Sequence, residues 1–330
     1  MRQAVVGLLA HVDAGKTTLA EAMLERAGAI RAAGRVDRGE SHLDTDAMER
    51  ERGITIFSSS AALDWSGAHL MLLDTPGHVD FSAEAERTLA ALDLAVLVVG
   101  ANDGVQGHTE TLWELLRRRG VPTLVFVGKC DLENPGRDDL LSELRVRLSA
   151  ACVDAASLAA GDPAAVEDVA SADEEALEEY LASGSLGRVT LARLFSAGAV
   201  FPVLFGAALR GEGVSELLDA LAALALERSW PEEFAARVFR VSRSARGERL
   251  AWVKVTGGSL RAKTQLTGTD RGVAWSEKVN EVRLYQGAAF ETVPEVPAGR
   301  VCAVTGLTHV VPGSALGVEF VKILFVDFLN

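Results

Sequence analysis

The chain has 330 residues and carries 46 acidic against 33 basic side chains, a formal net charge of −13. Hydrophobic residues make up 48% and charged residues 24%, which excludes wholesale disorder, and at ~150 residues per domain two cores are expected. The acidic balance excludes a general electrostatic grip on nucleic acid, DNA included, but leaves room for a few specific contacts with RNA.

Taken in order, Gln3–Ala10 is a short apolar run that predicts a buried strand. It breaks at His11 and Asp13, too early for a signal peptide, and no stretch reaches the ~20 apolar residues of a membrane span. A cytoplasmic location with no membrane partner is the expectation. Thr17–Ala29 is Ala-rich with helical spacing, its apolar residues including Leu19, Ala22, Met23 and Leu24. Residues 30–53 are polar and without a period, a loop length that is usually functional. Further buried strands are predicted at Leu70–Leu73, Ala95–Ala101, Thr123–Val127 and Val200–Phe205, with helices at Ala83–Leu92, Thr109–Arg119 and Val214–Leu226. Strands alternating with helices imply right-handed βαβ units and a mostly parallel sheet with helices on both faces.

An acidic, Ala-rich insertion at about 150–187, expected to be helical, interrupts this pattern. Near Ser229–Glu233 the texture changes. Short β-rich runs follow at Ala251–Val255, Gln265–Gly268, Lys278–Leu284 and Arg300–Gly306, a spacing that suggests a small β-barrel. The expected division is an α/β domain over 1–230, a barrel over 235–317 and an apolar tail over 318–330. Cys130, Cys152 and Cys302 lie too far apart for a disulfide scaffold or a cysteine zinc site.

Five motifs carry chemistry. Ala10-His11-Val12-Asp13-Ala14-Gly15-Lys16-Thr17-Thr18 joins the first strand to the first helix, the place for a phosphate loop. Backbone N–H groups would surround the phosphates, Lys16 would reach the β and γ groups, and the Thr17 hydroxyl would bind Mg²⁺. Asp74-Thr-Pro-Gly77-His78 follows an apolar strand, so Asp74 can hold Mg²⁺ through water and the Gly77 N–H can sense a γ-phosphate. The plainer readings are a turn-forming Asp before Pro and a surface-loop histidine. In Arg50-Glu-Arg-Gly-Ile-Thr55-Ile56, Thr55 can reach the metal while a γ-phosphate is present, and Ile54–Ile56 can equally begin a strand. In Gly128-Lys129-Cys-Asp131, Asp131 can accept from guanine N1 and N2, and the Lys129 stem can lie along the base. Gly206-Ala207-Ala208 offers a backbone N–H to guanine O6.

With these five in order, the chain resembles the translational GTPases of the elongation factor G group, and within it the tetracycline ribosomal-protection proteins. The resemblance spans residues 1 to about 317. It rests on AHVDAGKTTL (10–19), RGITI (52–56), LLDTPGHVDF (72–81), GKCD (128–131) and FPVLFGAA with GV downstream (201–214). It implies a phosphate-loop GTPase domain followed by a translation-factor-type β-barrel, binding GTP, GDP and Mg²⁺. It also implies a monomeric partner of the ribosome, touching rRNA and ribosomal proteins. His78 would position the attacking water, Val12 and Ile54 would form an apolar gate, and Asp13 would help order the loop. The alternatives are a remnant that holds guanine nucleotide or ribosome without turnover, and a fragment of a translocation factor. An ATPase would need Asp131 to be irrelevant.

Two departures stand out. The family places Asn where Gly128 stands and usually Ser where Ala207 stands, and losing both costs on the order of 1–3 kcal/mol of binding or discrimination. Family members also continue through three further domains, so the resemblance implies the N-terminal two-domain portion of a longer protein. The charge is uneven as well. Between Leu148 and Gly187 there are nine acids and no Lys or Arg, so −9 of the −13 sits in the insertion. The remainder is nearly neutral, and contact with a polyanionic ribosome is permitted.

Overall fold

The computed structural model describes residues 2–32, 34, 59–74, 88–225, 227–244, 246–270, 273–287 and 289–318. Seven segments form one sheet: β1 (Arg2–Ala10), β2 (Ser59–Trp65), β3 (Ala68–Asp74), β4 (Leu94–Gly100), β5 (Thr123–Gly128), β6 (Cys152–Asp154) and β7 (Phe201–Phe205). Their order is β2-β3-β1-β4-β5-β7-β6, and all pairs are parallel except β2 with β3. The antiparallel pair closes through Ser66 and Gly67, both at positive φ (46° and 74°), as a tight two-residue hairpin requires.

Alternation within the strands explains why helices cover both faces. Leu8, Val96, Val98, Leu124 and Phe126 pack with α1 (Lys16–Arg26) and, through Leu217, Leu218 and Leu221, with the helix Val214–Leu224. Their sequence neighbours Leu9, Leu97, Val99, Val125 and Val127 point the other way, onto α2 (Gly107–Arg119) and α3 (Arg137–Arg147). Each such side chain, fully buried, contributes about 1.5–3 kcal/mol.

The acidic segment is not helical throughout. It opens with β6 at the sheet edge and continues as α4 (Ala155–Ala159), α5 (Pro163–Ala170) and α6 (Glu174–Ser183), followed by α7 (Arg188–Ser196); the helix Val214–Leu224 is then α8. Asp154, Asp162 and Asp173 cap α4, α5 and α6 by accepting backbone N–H bonds, so three of the acids are fixed at helix N-termini. Val153, Ala165, Val169, Ala176, Leu194 and Val200 give this region a small core of its own.

Beyond residue 234 the chain is antiparallel. Strands β8 (Ala235–Arg243), β9 (Arg249–Gly257), β13 (Val282–Gln286), β14 (Ala289–Val293), β16 (Val301–Val304) and β17 (Ala315–Gly317) form a sheet in the order β14-β13-β16-β9-β8-β17. The antiparallel pairs β10 (Ser259–Arg261) with β15 (Glu295–Pro297), and β11 (Gln265–Asp270) with β12 (Val273–Lys278), form two separate two-stranded sheets beside it. The apolar run expected as one strand at Lys278–Leu284 is instead a junction: β12 ends at Lys278, Val279 turns into the core, and β13 begins at Val282.

The two sheets meet directly. Val5, Met71 and Leu73 of β1 and β3 bury against Phe239, Leu250, Trp252, Val301 and Ala303. Beside this contact Asp93 accepts from Lys254 Nζ at 2.5 Å and from Arg228 Nη1 at 3.0 Å, while Lys254 also donates to the Gly299 carbonyl. Burial pulls the Lys254 pKa down against the opposing pull of Asp93. At the sheet edge, the Gln286 amide pairs with both the N–H and C=O of Ala62, as a neighbouring strand would.

Candidate functional site

The parallel strands end together, and their carboxyl ends define the site. Leu8 lies opposite Asp74 in the β1–β3 register, and Gly100 lies opposite Gly128 between β4 and β5. Strand β1 has β3 on one side and β4 on the other, so the loop after it sits where the strand order reverses. Ligands of open α/β sheets bind in that crevice.

The loop from His11 to Gly15 has the conformation that its sequence suggests. Asp13 and Gly15 both adopt positive φ, 62° and 94°, and Gly15 immediately precedes the first turn of α1. A glycine fits there because a side chain at that φ is strained. The Ala14 N–H donates to the His11 carbonyl at 3.2 Å, and Leu19 N–H to Gly15 at 2.9 Å. Lys16 is buried at 7% exposure, and Thr17 and Thr18 follow on the first turn. The helix N-terminus adds its own partial positive charge there, which favours an anion.

The second wall comes from the ends of β5 and β7. Lys129 takes φ 60°, and its Cε lies 4.0 Å from where a Cβ on Gly15 would be, so its stem lies against the loop between β1 and α1. Cys130 N–H donates to the Gly206 carbonyl at 3.1 Å, and its thiol donates to Val127. Burial pushes that thiol pKa up, so it stays protonated at neutral pH. Asn134 closes the loop by donating to the Leu132 carbonyl at 2.7 Å and accepting from the Gly136 N–H. Behind it, Arg137 makes a two-pronged bond to Asp154, both distances 2.6 Å. Burial pushes the Asp154 carboxyl up, but Arg137 and the Ala156 N–H outweigh it and hold the pKa below the usual range.

Asp131 pairs with Arg210, whose Nε lies 3.1 Å from Oδ2. Of the Gly206-Ala207-Ala208 trio, the first two have committed N–H groups. Gly206 donates to Val127 at 2.9 Å and Ala207 to Glu212 at 3.0 Å. Ala208 begins the 3₁₀ turn Ala208–Arg210, and among the described residues its N–H meets no backbone acceptor. Gly206 cannot carry a side chain, since a Cβ would stand 2.3 Å from the Glu212 carbonyl oxygen. An open cleft of about 760 Å³ lies alongside, lined by Thr18, Ala22, Arg26, Ala208, Arg210 and Gly211.

The strand order therefore brings His11, Val12, Asp13, Ala14, Gly15, Lys16, Thr17, Thr18, Lys129, Asp131, Gly206, Ala207 and Ala208 to the carboxyl end of one sheet. Ile54, Thr55, Gly77 and His78 lie outside the described residues, and Asp74 is described only as the last residue of β3. Among the described residues no group of three His, Cys, Asp or Glu side chains could hold a metal, and no helix is long and apolar enough to cross a membrane. Sequence reading did not single out Arg210; a base two residues beyond the Gly-Ala-Ala run was the available signal.

Comparison with known families matches residues 1–226 to the elongation factor Tu GTP-binding domain. The chain belongs to that family. An oxytetracycline resistance protein of Streptomyces rimosus is 36% identical over 347 residues, covering 96% of this chain and 52% of the relative. Tetracycline resistance protein TetP of Clostridium perfringens is 31% identical over 340 residues, with coverage of 96% and 52%. TetW of Butyrivibrio fibrisolvens is 34% identical over 294 residues, covering 84% of this chain and 46% of its own. A crystal structure of a Thermus thermophilus protein superposes with a TM-score of 0.83 at 25% identity, covering 96% of this chain and 54% of the other. The chain thus spans about half the length of the curated relatives it matches.

Proposed function

We propose that this GTP-binding domain and its antiparallel partner bind GTP and GDP, hydrolyse GTP on the ribosome, and use hydrolysis to leave it, in the service of tetracycline protection. The observation that carries the reading is the crevice itself. A helix N-terminus behind a left-handed Gly15, with a buried Lys16, faces a second wall bearing Lys129, Asp131 and the open Ala208 N–H. The first wall suits phosphates and the second suits guanine. Asp131 accepts where guanine has two donors and adenine has none, and Ala208 donates where guanine has O6 and adenine an amine.

Thr17, Thr55 and Asp74 are the residues that would hold Mg²⁺, Asp74 through a water. The β1–β3 register fits this, because Asp74 ends its strand at the carboxyl end of the sheet, where β1 leads into the helix that bears Thr17. When bound, the ion neutralises charge on the β and γ phosphates. Lys16 shares that task from the loop, Gly77 would report the γ group through its N–H, and His78 would orient the attacking water. Partners would be rRNA and ribosomal proteins, with the protein monomeric in the cytoplasm. Residues 1–230 would be the nucleotide-binding unit, 235–317 the second domain, and the relatives' names supply the resistance role.

GTP turnover with and without 70S ribosomes tests this. Stimulation by ribosomes that His78→Ala abolishes is expected. Ribosome-independent turnover, with His78→Ala equal to wild type, contradicts it. Tight binding of GDP and GTP with no turnover under either condition would instead favour a nucleotide-holding remnant, for which the missing side chains at Gly128 and Ala207 speak.

A further inference from the structure

The base wall of the crevice is poor in side-chain bracing. Gly128 supplies none and Ala207 supplies a methyl group. Cys130 commits its N–H to Gly206 and its thiol to Val127. What faces the Asp131 carboxylate is Arg210, with Nε 3.1 Å from Oδ2. The Asp131 side chain is 16% exposed and that of Arg210 is 60% exposed. Arg210 is held at its backbone, because its N–H donates to Ala207 at 2.9 Å and Ala207 and Glu212 form a two-way bridge. Arg26 adds a bond to the Gly211 carbonyl at 3.2 Å, tying the same turn to α1.

We infer that Arg210 is the positioning residue that orients Asp131 for guanine, an inference that rests on the guanine-site reading above. An ionised carboxylate has about four lone-pair sites, so one contact to Oδ2 leaves enough for the N1–H and 2-amino donors. The ion pair joins the loop that carries the acceptor, Asp131, to the turn that carries the donor, Ala208. Selecting guanine depends on both groups being correctly spaced, and Arg210 adds a side-chain link at Asp131 itself to the backbone bond from Cys130 to Gly206 that joins the same two loops. An ion pair this exposed contributes little to stability. Base selectivity, not stability, is therefore the readout that separates positioning by Arg210 from a structural role.

The test uses the full chain and titrates GDP against inosine diphosphate, which lacks the 2-amino group. Wild type should prefer GDP. Arg210→Ala should lower that preference about fivefold to tenfold, the scale of one charge-assisted contact, with the melting temperature unchanged. Arg210→Lys should restore part of it, since a cation at the same place still faces Oδ2. A preference in Arg210→Ala within twofold of wild type overturns the inference. So does equal weakening of both nucleotides, which a merely structural role would produce. If folded wild-type protein binds no GDP at all, the guanine-site reading itself fails, and the inference falls with it.

Discussion

The two walls of the crevice are built by different means. The wall proposed for phosphates is made mostly from backbone: a left-handed Gly15, the N–H groups of a helix start, and one buried cation, Lys16. The wall proposed for the base is made from side chains and from loops that meet across strands β5 and β7, and Gly128 and Ala207 bring no polar side chain to it. Backbone recognition tolerates sequence drift because every residue except proline has an N–H. Side-chain recognition does not, and the contrast says that affinity should reside in the first wall and selectivity in the second.

Four substitutions would break or sharpen that contrast. Lys16→Ala should cost roughly 100-fold in affinity for GDP and for inosine diphosphate alike, because two charge-assisted bonds to phosphate are lost. Calorimetric titration would show it, and an unequal effect on the two nucleotides would contradict the division of labour. Asp131→Asn should weaken GDP on the order of 100-fold while favouring xanthosine diphosphate, whose 2-carbonyl accepts from the new amide. A competition titration reads that exchange. Gly15→Ala introduces a Cβ with room around it, the nearest atom being Lys129 Cε at 4.0 Å, so the cost is backbone strain alone. That strain is about 1–2 kcal/mol and should appear in the thermal unfolding of the free protein. Gly128→Asn should have the smallest effect and the opposite sign. Its Cβ would lie 3.5 Å from Phe126 Cε1 and 3.8 Å from the Ala14 carbonyl oxygen, ordinary contacts that leave room for an amide beside the phosphate loop. A gain of about threefold to tenfold in GDP affinity is expected from one added hydrogen bond.

Much of this was legible in the sequence for one physical reason. Strands buried on both faces read as continuous apolar runs, so β1, β4, β5 and β7 stood out within a residue or two of their ends. The loops after them were then located by punctuation, Gly15, Gly128 and Gly206 among them. Strand β2 was hidden because it lies at an edge, where Ser59–Trp65 shows neither a solid apolar run nor strict alternation. Its Ser66-Gly67 turn was the signal that remained. Helix α3 was missed because it buries only Leu140 and Leu144. Its acids Asp138 and Asp139 at the start and bases Arg145 and Arg147 at the end match the helix dipole and could have revealed it. Strand β6 is three residues long and sits inside an Ala-rich acidic stretch. The Asp131–Arg210 pair joins residues 79 positions apart, and no local pattern encodes a contact of that range.

The contact between the two sheets was illegible for a similar reason. Asp93, Lys254 and Arg228 are ordinary charged residues in the sequence, and only the fold shows two cations converging on one nearly buried carboxylate. The Gln286 clamp on Ala62 and the apolar contact around Trp252 add to this tie between the parallel and antiparallel sheets.

The most direct single measurement is a calorimetric titration of the full chain with GDP and, separately, with ADP in the presence of Mg²⁺. One GDP per chain should bind, with ADP at least 100-fold weaker, since adenine offers Asp131 no donor pair and Ala208 no acceptor. Equal binding of the two nucleotides, or no binding of GDP by folded protein, would contradict the assignment of the crevice.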